Sequence, residues 1–89
     1  MIWRINLSRN AEKFLDKNAL TIEEVRHLSV KTISYFQGEN LNVDIKKLKG
    51  EWKGFYRIRS GRICIIAEFN FDSSVIFIEK IDWRGGVYK

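Results

Sequence analysis

The stretch Phe55-Tyr56-Arg57-Ile58-Arg59-Ser60-Gly61-Arg62-Ile63-Cys64-Ile65-Ile66-Ala67-Glu68-Phe69-Asn70-Phe71-Asp72-Ser73-Ser74-Val75-Ile76-Phe77-Ile78-Glu79-Lys80-Ile81-Asp82 decides the fold. It is rich in β-branched and aromatic residues and is broken twice by turn residues, at Ser60-Gly61 and at 71–73. The pattern predicts strands over 55–59, 62–70 and 74–82, joined as an antiparallel meander. Side chains alternate across a strand, so pairing the apolar rows sends Tyr56, Ile58, Ile63 and Ile65 to the core. Arg57, Arg59 and Cys64 then share the exposed face.

Working back toward the amino terminus, residues 2–7 alternate as a half-buried strand, with Trp3, Ile5 and Leu7 on one side. Ser8 is a helix N-cap, and Ala11, Phe14 and Leu15 fall at helical spacing up to Asn18. Thr21-Ile22-Glu23-Glu24 fits a capping box that opens a second helix. Its buried stripe is Val25, Leu28, Ile33 and Phe36, irregular near Val30, and Gly38 can end it. Residues 40–53 lack a clear period and read as a connection with one helical turn, anchored by Leu41, Val43, Ile45 and Leu48. Beyond 82, Gly85-Gly86 release a short tail. The expected architecture is α+β: an N-terminal strand, a two-helix hairpin and a three-stranded meander in one sheet, helices on one face, forming a single domain over 1–89.

The composition agrees with one small globular domain. Of 89 residues, 45% are hydrophobic and 13% aromatic, enough to build a core in a chain that buries only about 60–65% of its unfolded surface. The single cysteine, Cys64, excludes a disulfide scaffold and a cysteine-based zinc cluster. No apolar run approaches the ~18 residues of a membrane span, and residues 1–4 lack a signal-peptide pattern, so a cytoplasmic protein without membrane contact is expected.

The net charge of +5 is local. Residues 44–62 hold seven cations (Lys46, Lys47, Lys49, Lys53, Arg57, Arg59, Arg62) against Asp44 and Glu51, and the rest of the chain nets zero. A basic block of this kind is either a docking place for a phosphate-bearing or acidic partner, or a solvated loop and hairpin. The same choice applies to the hairpin arginines. Two parallel guanidiniums beside Lys46, Lys47 and Lys49 form a seat for a phosphodiester, and they also fit the ordinary outer face of an amphipathic strand.

Several residues narrow the choice by resemblance. Asp44-Ile45-Lys46-Lys47-Leu48-Lys49-Gly50, then Phe55-Tyr56-Arg57-Ile58-Arg59-Ser60-Gly61, the apolar strand 63–69 and the ending Trp83-Arg84-Gly85-Gly86-Val87-Tyr88 occur in the order and at the spacing of the RelE/ParE superfamily of toxin–antitoxin toxins. The chain resembles that superfamily over its whole length. The resemblance implies a toxin of a type II toxin–antitoxin system, neutralised by a short, acidic cognate antitoxin. RelE-like members are ribosome-dependent endoribonucleases of messenger RNA, the branch favoured here. ParE-like members inhibit DNA gyrase, and that alternative stays open, as does a weak or inactive relative acting through complex formation.

In the nuclease branch the resemblance implies attack of the RNA's own 2′-hydroxyl on the adjacent phosphate, giving a cyclic phosphate, with no metal or cofactor. Carried over by position, Arg57, Arg59 and Arg84 would hold the scissile phosphate, and Tyr88 would stack on a base or move a proton. Lys46, Lys47, Lys49, Trp52, Lys53 and Arg62 would bind the RNA and ribosome. Two departures stand out. Cys64 occupies a position where many members carry arginine, and loss of such a cation costs on the order of 2.7–4 kcal/mol of transition-state stabilisation. Arg62, two residues earlier and expected on the same face, would replace it in part. Trp83 and Gly86 stand where His and Asp are common, which leaves no evident general base because a guanidinium stays protonated; Glu68 or Tyr88 would have to assist.

His27 has no second ligand at recognisable spacing and reads as a helix-surface residue. Cys64 lacks an activating histidine nearby, so it reads as a small strand residue rather than a nucleophile. Trp3 and Phe14 read as core. Trp52, in the lysine-rich loop, is either a stacking or antitoxin-contacting aromatic or a hydrophobic plug.

Overall fold

The computed structural model describes residues 3–41 and 43–83. Strand β1 (Arg4–Leu7) leads into helices α1 (Arg9–Lys17) and α2 (Ile22–Phe36). Strands β2 (Asp44–Lys47), β3 (Tyr56–Ser60), β4 (Ile63–Asn70) and β5 (Val75–Trp83) follow, with a 3-10 turn at Gly50–Trp52 between β2 and β3. The five strands form one sheet in the order β1-β5-β4-β3-β2. β1 runs parallel to β5, and the other pairs are antiparallel.

The expected α+β architecture is present, with one addition. Residues 44–47, read from the sequence as part of a connection, form β2 on the sheet edge, with Asp44 opposite Arg59 and Lys46 opposite Arg57. The meander therefore has four strands. Ile45 packs against the core while Lys46 and Lys47 are both exposed, and so short an edge strand with two consecutive lysines gives too few alternating positions to read as a strand.

Ser8 caps α1: its Oγ accepts from the Ala11 N–H at 3.0 Å. Thr21 occupies the N-cap of α2 in extended conformation, but its side chain makes no capping hydrogen bond, so the expected capping box does not form. The irregularity near Val30 has a physical cause. Ser29 and Thr32 take core positions on α2 and are fully buried, and their hydroxyls donate to the carbonyls of Val25 and Leu28 at 2.8 and 2.9 Å. With their polar atoms satisfied inside the helix, these small residues let α2 pack closely while Val30 faces outward. At the other end, Gly38 has φ +98, Gly38 N–H donates to Tyr35 O and Glu39 N–H to Ser34 O, a Schellman ending that needs the left-handed conformation glycine supplies.

Both helices cover one face of the sheet. Ala11, Leu15, Val25, Leu28 and Ile33 meet Ile58, Ile63, Ile65, Ala67, Ile76, Ile78 and Ile81 in one buried cluster. Burying each isoleucine side chain contributes about 1.5–3 kcal/mol, which lets so small a sheet hold its shape. Trp3 and Phe14 pack against that cluster, as expected. Among the described residues, the opposite face of the sheet carries no helix.

One irregularity determines what that face displays. Ile66 lies opposite Lys80 and Ala67 opposite Ile78, so β5 inserts Glu79 as a bulge. Strict alternation from Ile76 and Ile78 would point Lys80 and Asp82 into the core. The inserted residue reverses the parity, so Ile81 is buried at 3% exposure and Lys80 and Asp82 turn to the helix-free face. Ser8 braces the bulge, its hydroxyl donating to Glu79 O at 2.6 Å and its N–H to Ile78 O at 2.9 Å.

Candidate functional site

Directly opposed residues on neighbouring strands project to the same face. On the helix-free face this gives two cross-strand rows. The first runs Lys46, Arg57, Ile66, Lys80; the second runs Asp44, Arg59, Cys64, Asp82. Adjacent strands lie about 4.8 Å apart, so the backbones of Arg57 and Lys80 are separated by about 10 Å, a gap their long side chains can close around a bound group.

The rows differ in charge. The first places three cations along one line, with only Ile66 between Arg57 and Lys80. Arg57 is half-buried, with its Nε shielded from solvent, while Lys46 and Lys80 are exposed. In the second row the Arg59 guanidinium is ion-paired to Asp44, with Nε donating to Oδ2 at 2.8 Å and the terminal nitrogen making a second, shorter bond to the same oxygen. Asp44 fixes the direction of Arg59 and offsets its charge. Asp82 closes the row; its Oδ1 accepts from the Trp83 N–H at 2.7 Å. Glu68 stands on the same face, opposite Phe77. A half-buried guanidinium flanked by two lysines on a rigid sheet is suited to hold one phosphate and to stabilise added negative charge on it.

Several expectations need correction. Cys64 does lie on the face of Arg57 and Arg59, but it is only 4% exposed, enclosed in the row between Arg59 and Asp82. Arg62 is not on that face. It sits in the β3–β4 turn, where strand alternation does not set direction, and its guanidinium reaches Glu24 of α2 with two bonds of 3.0 Å while lying 5.5 Å from the centroid of the Trp83 ring. The pairing holds the Glu24 carboxyl below its ordinary value, chiefly through the hydrogen bond from Arg62. Arg62 therefore ties the hairpin to α2 on the helix side and does not stand in for an arginine at Cys64.

Among the other basic candidates, Lys47 faces the side opposite Lys46, and Lys49 and Lys53 are exposed in the loop around the 3-10 turn. Trp52 is 38% exposed and packs edge-on against Phe55 at 5.6 Å. Gly54, with φ +95, turns the loop back into β3. His27 is exposed on α2, as expected. Arg84 and Tyr88 lie outside the described residues. The sequence reading missed Lys80 and Asp82, because only the bulge brings them to this face. The overlooked signal is Ile81, an aliphatic one step out of phase with Ile76 and Ile78.

No protein-family model and no curated protein matches the chain. Solved structures do, and the likeness is one of fold: the chain has the RelE-like fold seen in toxins of toxin–antitoxin pairs, over nearly its whole length. The individual likenesses are YafQ from Escherichia coli BL21(DE3), at 13% identity and a TM-score of 0.63 over 99% of this chain and 100% of that one, and HP0892 from Helicobacter pylori, at 15% identity and a TM-score of 0.65 over 98% and 100%. The RelBE2 toxin–antitoxin complex from Mycobacterium tuberculosis matches at 19% identity and a TM-score of 0.59 over 94% of this chain and 100% of that one. Among the described residues no helix is long and apolar enough to cross a membrane.

Proposed function

We propose that this protein is the toxin of a toxin–antitoxin pair and an endoribonuclease that cuts messenger RNA on the ribosome. The observation that carries the reading is the Lys46–Arg57–Lys80 row on the helix-free face of a RelE-like sheet. A neighbour of the same fold, YafQ, is seen in complex with the antitoxin DinJ, which supports an antitoxin as this chain's own partner. The basic face suits an acidic segment that would occupy the row and exclude RNA.

In the proposed reaction the 2′-oxygen of one nucleotide attacks the adjoining phosphorus, and the bond from phosphorus to the 5′-oxygen breaks. Arg57, Lys46 and Lys80 hold the phosphate oxygens as charge accumulates on them. The 2′ proton passes to a carboxylate on the same face, Asp82 or Glu68, and the departing 5′-oxygen takes a proton from Lys80 or from Tyr88. Arg59, held by Asp44, adds positive potential beside the row. Arg84 would complete the phosphate grip. The site supplies charge and positioning more than a tuned base, which fits a slow nuclease that relies on the ribosome to orient its substrate.

Inducible expression of the wild type and of Arg57→Gln, with mapping of messenger 5′ ends, tests the proposal. New cuts in translated messages with the wild type alone support it. Growth arrest without cuts overturns it, and accumulated gyrase–DNA breaks would favour the ParE-like alternative.

A further inference from the structure

A groove of about 440 Å³ lies where α1, the 3-10 turn and the bulged half of β5 converge, with Lys13, Lys17, Phe14, Trp52, Glu79 and Lys80 among its lining. It gathers cations: Lys13 and Lys17 stand four residues apart on one face of α1, and Lys80 joins them from β5. Among the described residues neither they nor Lys80 is engaged in an ion pair. Among the described residues Glu79 is the one carboxylate in the lining, set against three ammonium groups. Trp52 is braced by Phe55 yet keeps more than a third of its surface in solvent.

Lysines around a held aromatic ring match the chemistry of a nucleotide, whose phosphate takes the cations and whose base stacks on the ring. An acidic peptide could also take the lysines and lay an apolar side chain on the ring, so the dependence of binding on Trp52 with RNA and with poly-glutamate separates the two. Lys80 belongs both to the groove and to the Lys46–Arg57–Lys80 row, so the two are continuous.

We propose that this groove is a single-stranded RNA subsite: Lys13 and Lys17 hold the backbone and Trp52 stacks on the base of a nucleotide adjoining the one whose phosphate sits on the row. The assignment rests on the RNA reading above and extends the substrate path from the sheet face onto α1. It requires no readout of base identity, since every base offers a stacking face.

The test is binding of the purified protein to 2′-O-methyl oligouridylates of two and six nucleotides, which cannot be cut, without ribosomes and at several salt concentrations. Wild type should bind the hexamer more tightly than the dimer. The Lys13→Gln/Lys17→Gln double variant should lose that gain, and its salt slope should fall by about 0.7 for each phosphate it no longer neutralises. Trp52→Ala should weaken hexamer binding about tenfold or more. Lys31→Gln, a charge change on α2 outside the groove's lining, should leave the slope unaltered, and melting curves confirm that the variants fold.

The proposal is overturned if the wild type gains nothing from the longer strand, if the double variant binds like wild type, or if poly-glutamate binds equally well and independently of Trp52. It is also overturned if the double variant keeps full oligomer affinity and loses only affinity for ribosomes, because the lysines would then contact ribosomal RNA. A protein that binds the hexamer through the groove and cuts no message would refute the nuclease reading and leave the subsite standing.

Discussion

The hydroxyl of Ser8 donates to the carbonyl oxygen of Glu79 at 2.6 Å and, from the same oxygen atom, accepts the Ala11 N–H at 3.0 Å. One side chain thus fixes the start of α1 and the bulge in β5, two features that form adjoining walls of the groove holding Lys13, Lys17 and Lys80. Ser8→Ala should therefore cost more than an ordinary cap, about 2 kcal/mol, read as a lowered denaturant midpoint. Ser8→Thr keeps the hydroxyl and should recover most of the loss. Because the bulge aims Lys80 outward, Ser8→Ala should also weaken RNA binding at temperatures where the protein is still folded.

Arg57 and Lys80 are assigned to one phosphate. Arg57→Gln and Lys80→Gln should each lower the cleavage rate, by roughly 10²–10³ for the half-buried arginine and less for the exposed lysine. Melting temperatures should stay near wild type for Lys80→Gln. Quantified 5′-end mapping on a translated message measures both effects.

Asp44 and Arg59 make a sharper case, because stability and binding should move in opposite directions. Asp44→Asn removes the ion pair that orients Arg59 and should destabilise by roughly 1 kcal/mol. It also removes an anion beside the phosphate row, so oligonucleotide affinity should rise. Thermal denaturation and a salt titration of RNA binding read the two effects separately.

The Glu24–Arg62 pair gives a pH signature. The Glu24 carboxyl is held below its ordinary value of 4.5 by the hydrogen bond from Arg62. A carboxyl lowered by folding stabilises the native state above its unfolded value, and that contribution is lost as pH falls through the lowered value. Wild type should thus exceed Arg62→Gln in stability at neutral pH by a small margin, since the pair is exposed. The margin should vanish on acidification below the ordinary carboxylate range, as denaturation curves from pH 7 to pH 2 would show.

The parts of the molecule legible in the sequence are those governed by local periodicity. The Ser8 cap, the two helices, the β3–β4 hairpin and the inward set Ile58, Ile63 and Ile65 follow from spacing alone. What escaped detection depends on partners distant in the chain. β2 is a strand because β3 offers it an edge, and the outward turn of Lys80 and Asp82 depends on a bulge that a period-2 reading cannot accommodate. Arg62 was misplaced because a turn residue obeys no alternation; Glu24 and Trp83, far away in sequence, decide where its side chain goes. At the candidate site the arginines were legible, whereas the third cation of the row, Lys80, was not.

The parallel pairing of β1 with β5 has a kinetic consequence. Arg4 aligns with Val75 and Ser8 reaches Glu79 across 71 positions of sequence, so β1 and both helices are synthesised well before the strand that anchors them. Closing so long a loop precedes any reward from the contacts it makes, and such topologies fold slowly. While the chain is growing, its amino-terminal half has no sheet to cover. The helix-free face and its row of cations therefore assemble only after β5 has been made, so Lys46 and Arg57 wait on Lys80 before the three stand in line.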